Sequence, residues 1–291
     1  MKHLQRLFNI LSLGNQNAKA AYIKQQYGKY VHQDEYGNLY LNRDFRQQKP
    51  YLVAHIDTVD EQPTAKQIVV DPYAQIISST RHGKPCNLGA DDGVGVFAAL
   101  QLFDLLDIGV ALFKDEEVGC IGSSHADGDY LNASYLIQLD RKGHEDIIFN
   151  GAGITIASDD FINAVENIAQ NYGYTSQLGG LTDVVTLADQ DTVGVSCMNL
   201  SCGYYKPHTK DEYIDIRHMQ KAIDFTRSII SNLGNQVFPH KVAHDWAPDY
   251  PYQQHNKSIR YFMQELLATN MTDEEICDEL YFFINDYDWY H

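Results

Sequence analysis

Residues 93–113 read GVGVFAALQLFDLLDIGVALF, and this stretch decides the fold. Wound at 3.6 residues per turn, Gly93 to Leu106 is apolar on nearly every side, which predicts a buried helix rather than a surface one. Gly109 to Phe113 is a short continuous apolar run, the pattern of a strand covered on both faces. A buried helix feeding a buried strand is the crossover unit of an open α/β sheet. Upstream, Tyr51 to Ala54 is a second buried strand, ending at His55. Downstream, Tyr135 to Leu139 is a third, ending at Asp140. Asp159–Asn171 reads as a helix, Val193–Leu200 as a further strand and Ile216–Leu233 as a long amphipathic helix. The expected fold class is therefore α/β, a mainly parallel mixed sheet with helices on both faces.

The flanks read differently. Met1 to about Tyr30 is one or two helices, with Leu4, Leu7, Phe8 and Leu11 at helical spacing, and Asn38–Leu41 is a short strand after the turn at Gly37. Past Gly234 the character changes. Pro239, Pro248 and Pro251 mark a linker, and Ile259, Phe262, Leu266 and Leu267 form one helical stripe. Thr272 followed by Glu275 is a capping box that opens another helix. The expected division is a catalytic domain over 1–235 and a helical C-terminal extension over 236–291, packed on it.

Composition narrows the function. Of 291 residues, 44% are hydrophobic and 21% charged, which excludes a disordered chain. Lys plus Arg number 22 and Asp plus Glu 39, a net charge of −17. Bulk attraction to nucleic acid or to an anionic membrane is excluded, and no apolar run has membrane-spanning length. In Met1–Gly14, Asn9 interrupts the apolar patch behind Lys2 and Arg6, so a helix explains it better than an export signal. The five cysteines are scattered without a CxxC pair, which predicts reduced thiols and a cytoplasmic location.

The chemistry collects at strand ends. His55, Glu116-Glu117, Asp140 and His208 each follow the C-terminal end of a predicted strand, the edge where open α/β sheets bind ligands. Asp91-Asp92, before the buried helix, falls on the same edge. Convergence would gather six carboxylates, Asp57, Asp91, Asp92, Glu116, Glu117 and Asp140, and like charges at close range cannot all stay ionised. Two divalent cations remove the conflict: three carboxylate ligands against a charge of +4 leave +1, and a fourth brings the site near neutrality. Imidazole nitrogens mixed with carboxylate oxygens suit zinc, with manganese or cobalt as substitutes. Singly, each piece is ordinary: an HxD pair, an Asp-Gly turn, a solvated acidic run, a surface histidine. Their joint order at strand ends is not. Competing chemistries are thinner. His144-Glu145 lacks the second histidine of HExxH, because Ile148 stands there. There is no GxSxG elbow and no GxxxxGK[ST] loop, and Cys197 and Cys202 read as packed in or beside a strand.

With these residues assembled, the chain resembles the co-catalytic dinuclear zinc exopeptidases, the superfamily of peptidase T, carboxypeptidase G and the zinc aminopeptidases. The matching pieces are VAHIDTVD (53–60), LGADDGVG (88–95), FKDEEVGCIGS (113–123), LIQLDR (136–141), GGLTDVVTL (179–187) and PHTKDEYIDI (207–216). The resemblance implies a phosphorylase/hydrolase-like sheet and two zinc ions. It implies that Asp91 bridges the metals, that His55 and Asp140 complete one site, and that Glu117 and His208 complete the other. It makes Glu116 the general base and Asp57 the partner that holds the His55 ring. Asp183 matches a position near the substrate pocket, and Tyr204 and Tyr205 are candidate donors to an oxyanion.

One departure separates this chain from the lidded relatives. His208 follows Asp140 by only 68 positions, too few for a lid domain as well as the remaining core. A lidless, single-core member is expected, and any oligomer would not form through a lid. The implied activity is a cytoplasmic exopeptidase that hydrolyses short peptides, an aminopeptidase of di- or tripeptidase type. Its alternatives are an amidohydrolase acting on N-acyl amino acids, and a non-catalytic metal-binding interaction protein.

Overall fold

The computed structural model describes residues 4–60, 66–190 and 192–242. In chain order these form α1 (Gln5–Ser12), α2 (Gln16–Tyr27), β1 (Val31–Gln33), β2 (Leu39–Leu41) and β3 (Lys49–His55). Then come β4 (Gln67–Asp71), β5 (Ile76–Arg81), β6 (Lys84–Pro85), α3 (Ala90–Leu105), β7 (Gly109–Phe113) and α4 (Ile121–Ser124). β8 (Ala133–Arg141), β9 (Asp146–Gly151), β10 (Ile154–Thr155), α5 (Asp159–Ala169), β11 (Thr175–Gly179) and α6 (Asp183–Ala188) follow. The series ends with β12 (Cys197–Ser201), β13 (Tyr204–Tyr205), β14 (Tyr213–Asp215) and α7 (Ile216–Leu233).

The main sheet is mixed and runs β1-β2-β7-β3-β8-β12-β9-β10, with β11 also paired to β9. Its four central strands, β7, β3, β8 and β12, are parallel. β3 and β7 are buried at every residue, as their unbroken apolar runs require. Alternate strand residues feed two cores. Leu52, Ala54, Val110 and Leu112 pack with α1, α3, α5 and α7, while Tyr51, Val53, Ala111 and Phe113 pack with α6 on the other face. In α3, Phe97, Leu100 and Phe103 are all buried, and each such side chain contributes roughly 1.5–3 kcal/mol relative to exposure. Helix α7 starts where Asp215 accepts the Arg217 N–H at 2.9 Å, an N-cap that fixes the predicted boundary.

The strand order decides where a ligand fits. The chain leaves β3, crosses through α3 to β7 on one side, and later returns to β8 on the other. A crevice opens at such a switch point, beyond the C-terminal strand ends, and His55 is the last residue of β3.

A second, smaller sheet, β13-β14-β5-β4 with β6 on β5, is antiparallel throughout. The β13–β14 hairpin enters it through Gly203, at φ +90°, where a Cβ would stand 2.3 Å from the Met219 backbone nitrogen of α7. Only glycine fits there. The stretch between Asp140 and His208 is spent on β9, β10, β11, β12, α5 and α6, all within this body, so no lid domain is found among its described residues. The body continues past residue 235: Phe238 is buried against Tyr135 and Phe161. From 243 onward, the expected C-terminal helices lie outside the described residues. Among the described residues no helix is long and apolar enough to cross a membrane. Cys86, Cys120, Cys197 and Cys202 are free thiols.

Candidate metal centre

The crevice at the end of β3 collects residues from five segments. His55 closes β3, Asp91 and Asp92 open α3 with non-helical backbone, and the Asp91–Asp92 peptide is cis. Glu116 and Glu117 follow β7, Asp140 lies near the end of β8, and His208 sits in the β13–β14 hairpin. The two Asp91 oxygens face different histidines: Oδ1 is 3.1 Å from His55 Nε2 and Oδ2 is 3.2 Å from His208 Nε2. Glu117 Oε2 stands 3.1 Å from His208 Nε2, and Asp140 Oδ1 stands 3.8 Å from His55 Nε2.

Asp57 ties two parts of the centre together. Its Oδ1 is 3.2 Å from His55 Nδ1, and its two oxygens accept the backbone N–H groups of Glu116 at 3.1 Å and Glu117 at 3.0 Å. Asp92 turns inward instead, accepting from the His55 N–H at 3.2 Å and the Gly95 N–H at 2.9 Å. Glu116 is held least. Its carboxylate has one hydrogen-bond partner among the described residues, the Cys120 thiol at 3.6 Å, and its Oε2 is 3.9 Å from His55 Nε2.

The remaining sequence candidates divide. The Tyr204 hydroxyl donates to Asp140 Oδ1 at 3.2 Å. Tyr205 is not brought to the centre: strand alternation turns it to the other face, where its hydroxyl meets His144 and His218. Asp183 is fully buried at the start of α6, with neither carboxylate oxygen completing a hydrogen bond. Cys197 and Cys202 are fully buried, and burial raises both thiols above their ordinary range.

One contributor escaped sequence reading. Glu212, almost completely buried, accepts from Asn87 Nδ2 at 2.8 Å, the Gly89 N–H at 2.7 Å and the Asp91 N–H at 3.2 Å. It holds the turn that presents Asp91. In the sequence it is the end of an acidic run, Asp211-Glu212, and nothing local marks it as buried.

Crowding and burial set the electrostatics of the centre. Burial, then the Asp91 charge, raises the Glu117 carboxyl to about 7. Burial, then the Glu116 charge, raises Asp183 to about 8. The hydrogen bond to Asp91 lifts His208 to about 9. Burial opposes charging of His55, but its bonds to Asp57 and Asp91 and the charges of Glu116 and Asp140 carry it well above the usual imidazole range. Glu117 and Asp183 are thus held towards their neutral forms and the two imidazoles towards their charged ones, while Asp57 and Asp91, despite burial, are shifted down by the histidines they meet.

The donors fit divalent cations. Ligand atoms of His55, Asp91 and Glu117, and those of His55, Asp92 and Asp140, lie within 4.8 Å of one another. Glu117 Oε1 is buried without a hydrogen-bond partner, which a coordinated cation would satisfy. Two imidazoles among carboxylates form the mixed N/O set that zinc-type ions favour.

These shifts give a signed expectation for the protein without metal. Glu117 at about 7 against an ordinary 4.5, Asp183 at about 8 against 3.8 and His208 at about 9 against 6.5 all lie above their unfolded values. The folded state therefore holds more protons between about pH 5 and pH 9, and stability falls as pH rises through that window. Thermal melts in chelator are expected to move to lower temperature from pH 5 to pH 9. Saturating zinc, which competes with those protons, should reverse the slope. A metal-free profile that rises over this window would contradict the proton assignment.

Comparison with known proteins places the fold. No protein-family profile matches the sequence. The cytosol non-specific dipeptidase of Escherichia coli K12 is 28% identical over 141 residues, 43% of this chain and 29% of that protein. The matched segment thus spans less than a third of the relative's length. The aminopeptidase PepT of Bacillus cereus superposes with a TM-score of 0.65 at 14% identity, covering 79% of this chain and 98% of that one. A tripeptidase of Staphylococcus aureus gives 0.62 at 16%, covering 80% and 98%. At such identities the likeness is one of fold: the chain has the α/β fold of these peptidases. That agrees with the resemblance to co-catalytic zinc exopeptidases read from the sequence motifs.

Proposed function

We propose that this protein is a metal-dependent exopeptidase that removes N-terminal residues from short peptides. Asp91, His55 and Asp140 would hold one cation, and Asp91, Glu117 and His208 the other. Asp57 fixes the His55 ring so that Nε2 faces the centre, since Nδ1 is taken. Zinc bound by these donors would supply Lewis acidity, polarising a carbonyl and bringing the pKa of water towards about 7.

The observation that carries the reading is the looseness of Glu116. Asp57, Asp91, Glu117 and Asp140 are each held or shared by nitrogen or hydroxyl partners at 3.0–3.2 Å, while Glu116 meets one thiol at 3.6 Å. A structural metal site has no use for an unengaged carboxylate beside its ligands. In a hydrolase that carboxylate takes the proton of the attacking water and delivers it to the leaving amine. The adjacent Glu117, paired to His208, is the ligand. The dipeptidase, aminopeptidase and tripeptidase named above support the substrate class.

The test is a mixture of di-, tri- and longer peptides, some N-acetylated, incubated with zinc-loaded protein and followed by mass spectrometry. Loss of single N-terminal residues, blocked by acetylation, is the expected result. Release of acyl groups from N-acyl amino acids, with free peptides intact, would instead establish an amidohydrolase. No cleavage of either kind despite bound metal would overturn catalysis.

A further inference from the structure

The β13–β14 hairpin delivers three residues to the candidate metal centre: Tyr204 to Asp140, His208 to Asp91 and Glu117, and Glu212 to the Asp91 N–H. Its tip is tied by Thr209 Oγ1 donating to Lys206 O at 2.8 Å and by the buried Glu212, yet two of its residues take left-handed backbone. Lys206 and His208 sit at φ +53° and +63°, where side chains other than glycine are disfavoured. The His208 side chain is 49% exposed, so burial does not fix it. The pairing of β14 with β5 holds the base of the hairpin on one side, and a second set of contacts holds it on the face away from the centre.

Tyr205 is so placed. Its hydroxyl is 2.7 Å from Nδ1 of His144, in the β8–β9 turn, and 2.7 Å from Nδ1 of His218, on α7. The two imidazoles stack at 3.7 Å with planes 3° apart, and the Tyr205 ring stacks on Tyr213 at 5.0 Å. The same turn is tied to the hairpin by the Gly143 N–H donating to Tyr204 O at 2.9 Å and the Gly203 N–H donating to Gly143 O at 2.8 Å. Lys221 Nζ on α7 donates to His144 O at 2.9 Å.

Donor counting gives the cluster one direction. A phenol has one proton to donate, and a neutral imidazole has one N–H. His144 Nε2 is 3.1 Å from the Glu145 carboxylate, which favours the proton on Nε2 and assigns Nδ1 as the acceptor of the Tyr205 O–H. His218 must then present Nδ1–H to the Tyr205 oxygen, with the Asp215 carboxylate at 3.7 Å favouring a proton on that nitrogen. The relay runs His218 to Tyr205 to His144 to Glu145, and none of its groups touches the metal centre.

We infer that Tyr205, locked between His218 and His144, is a positioning residue that sets His208 for metal binding. The inference rests on the metal reading of the centre. Tyr205→Phe keeps the ring and its stacking while removing the hydroxyl. Competition against a chromogenic chelator should show zinc bound about 10- to 100-fold more weakly than by wild type. His218→Phe should do the same, whereas His218→Asn, whose amide can donate from nearly the place of Nδ1, should restore affinity close to wild type. Nitrogen-15 spectra of wild-type protein should show His218 as the Nδ1–H tautomer. Wild-type zinc affinity in Tyr205→Phe, or an Nε2–H His218 in wild type, would overturn the inference and leave the metal reading standing. Wild-type protein that binds no zinc would overturn both.

Discussion

Glu116→Gln is expected to lower kcat by about 10²- to 10⁴-fold, the usual contribution of a general base, while bound zinc is unchanged. The amide copies the shape of the carboxylate but takes up no proton at neutral pH. Its loss should disturb little else, because Glu116 is tied through its side chain to one thiol at 3.6 Å. Peptide hydrolysis and elemental analysis of the same sample make the check. Retained zinc with lost turnover supports the proton-carrying role, and an unaffected rate sinks it.

Asp91→Ala is expected to act on the metals themselves. Its oxygens lie 3.1 Å from His55 and 3.2 Å from His208, so one substitution removes the group common to both halves. Lewis-acid stabilisation amounts to several kcal/mol, and at about 1.4 kcal/mol per tenfold its loss costs about a thousandfold or more in rate. Zinc content should fall with it. A second readout needs no catalysis: the hydrogen bond that His208 donates to Asp91 is the largest cause holding His208 at about 9. In the metal-free variant His208 should titrate lower, nearer the ordinary imidazole value, as followed by proton NMR. Full zinc occupancy in Asp91→Ala would remove the shared-ligand assignment.

Much of this arrangement was legible before any coordinates. The all-round apolar run after Asp92 became α3, the run after Ile108 became β7, and Ile216–Leu233 became α7 with the predicted ends. Strand ends carried His55 and Asp140 to one edge because parallel central strands put their C-terminal ends together. The small sheet was harder. In β4 burial alternates between exposed and half-buried, but its sequence is apolar at Ile68, Val69 and Val70 alike, so the exposed face carries no polar mark and the run is too short to announce a strand as β3 or β7 does. Glu212 was harder still, for the N–H groups it accepts lie 121 and 123 residues away. Lys19 reads as part of a polar helix, yet it is buried and donates to the Asp57 carbonyl at 3.3 Å. Local pattern reports which face a residue takes, not which distant backbone it will meet.

The hairpin that supplies His208 is also the last of the contributing segments in the chain. Synthesis proceeds from the N-terminus, so Asp57, Asp91, Glu117 and Asp140 all leave the ribosome while His208 and Glu212 are still unmade. On the metal reading, the growing polypeptide carries a crowd of acids with a single imidazole among them. A product truncated before residue 208 would be a corroded lock: its acidic half is complete, and the clasp that closes on the ion has never been forged. Loading of the Glu117–His208 site, and not of the His55–Asp140 site, would then mark that translation had passed this point.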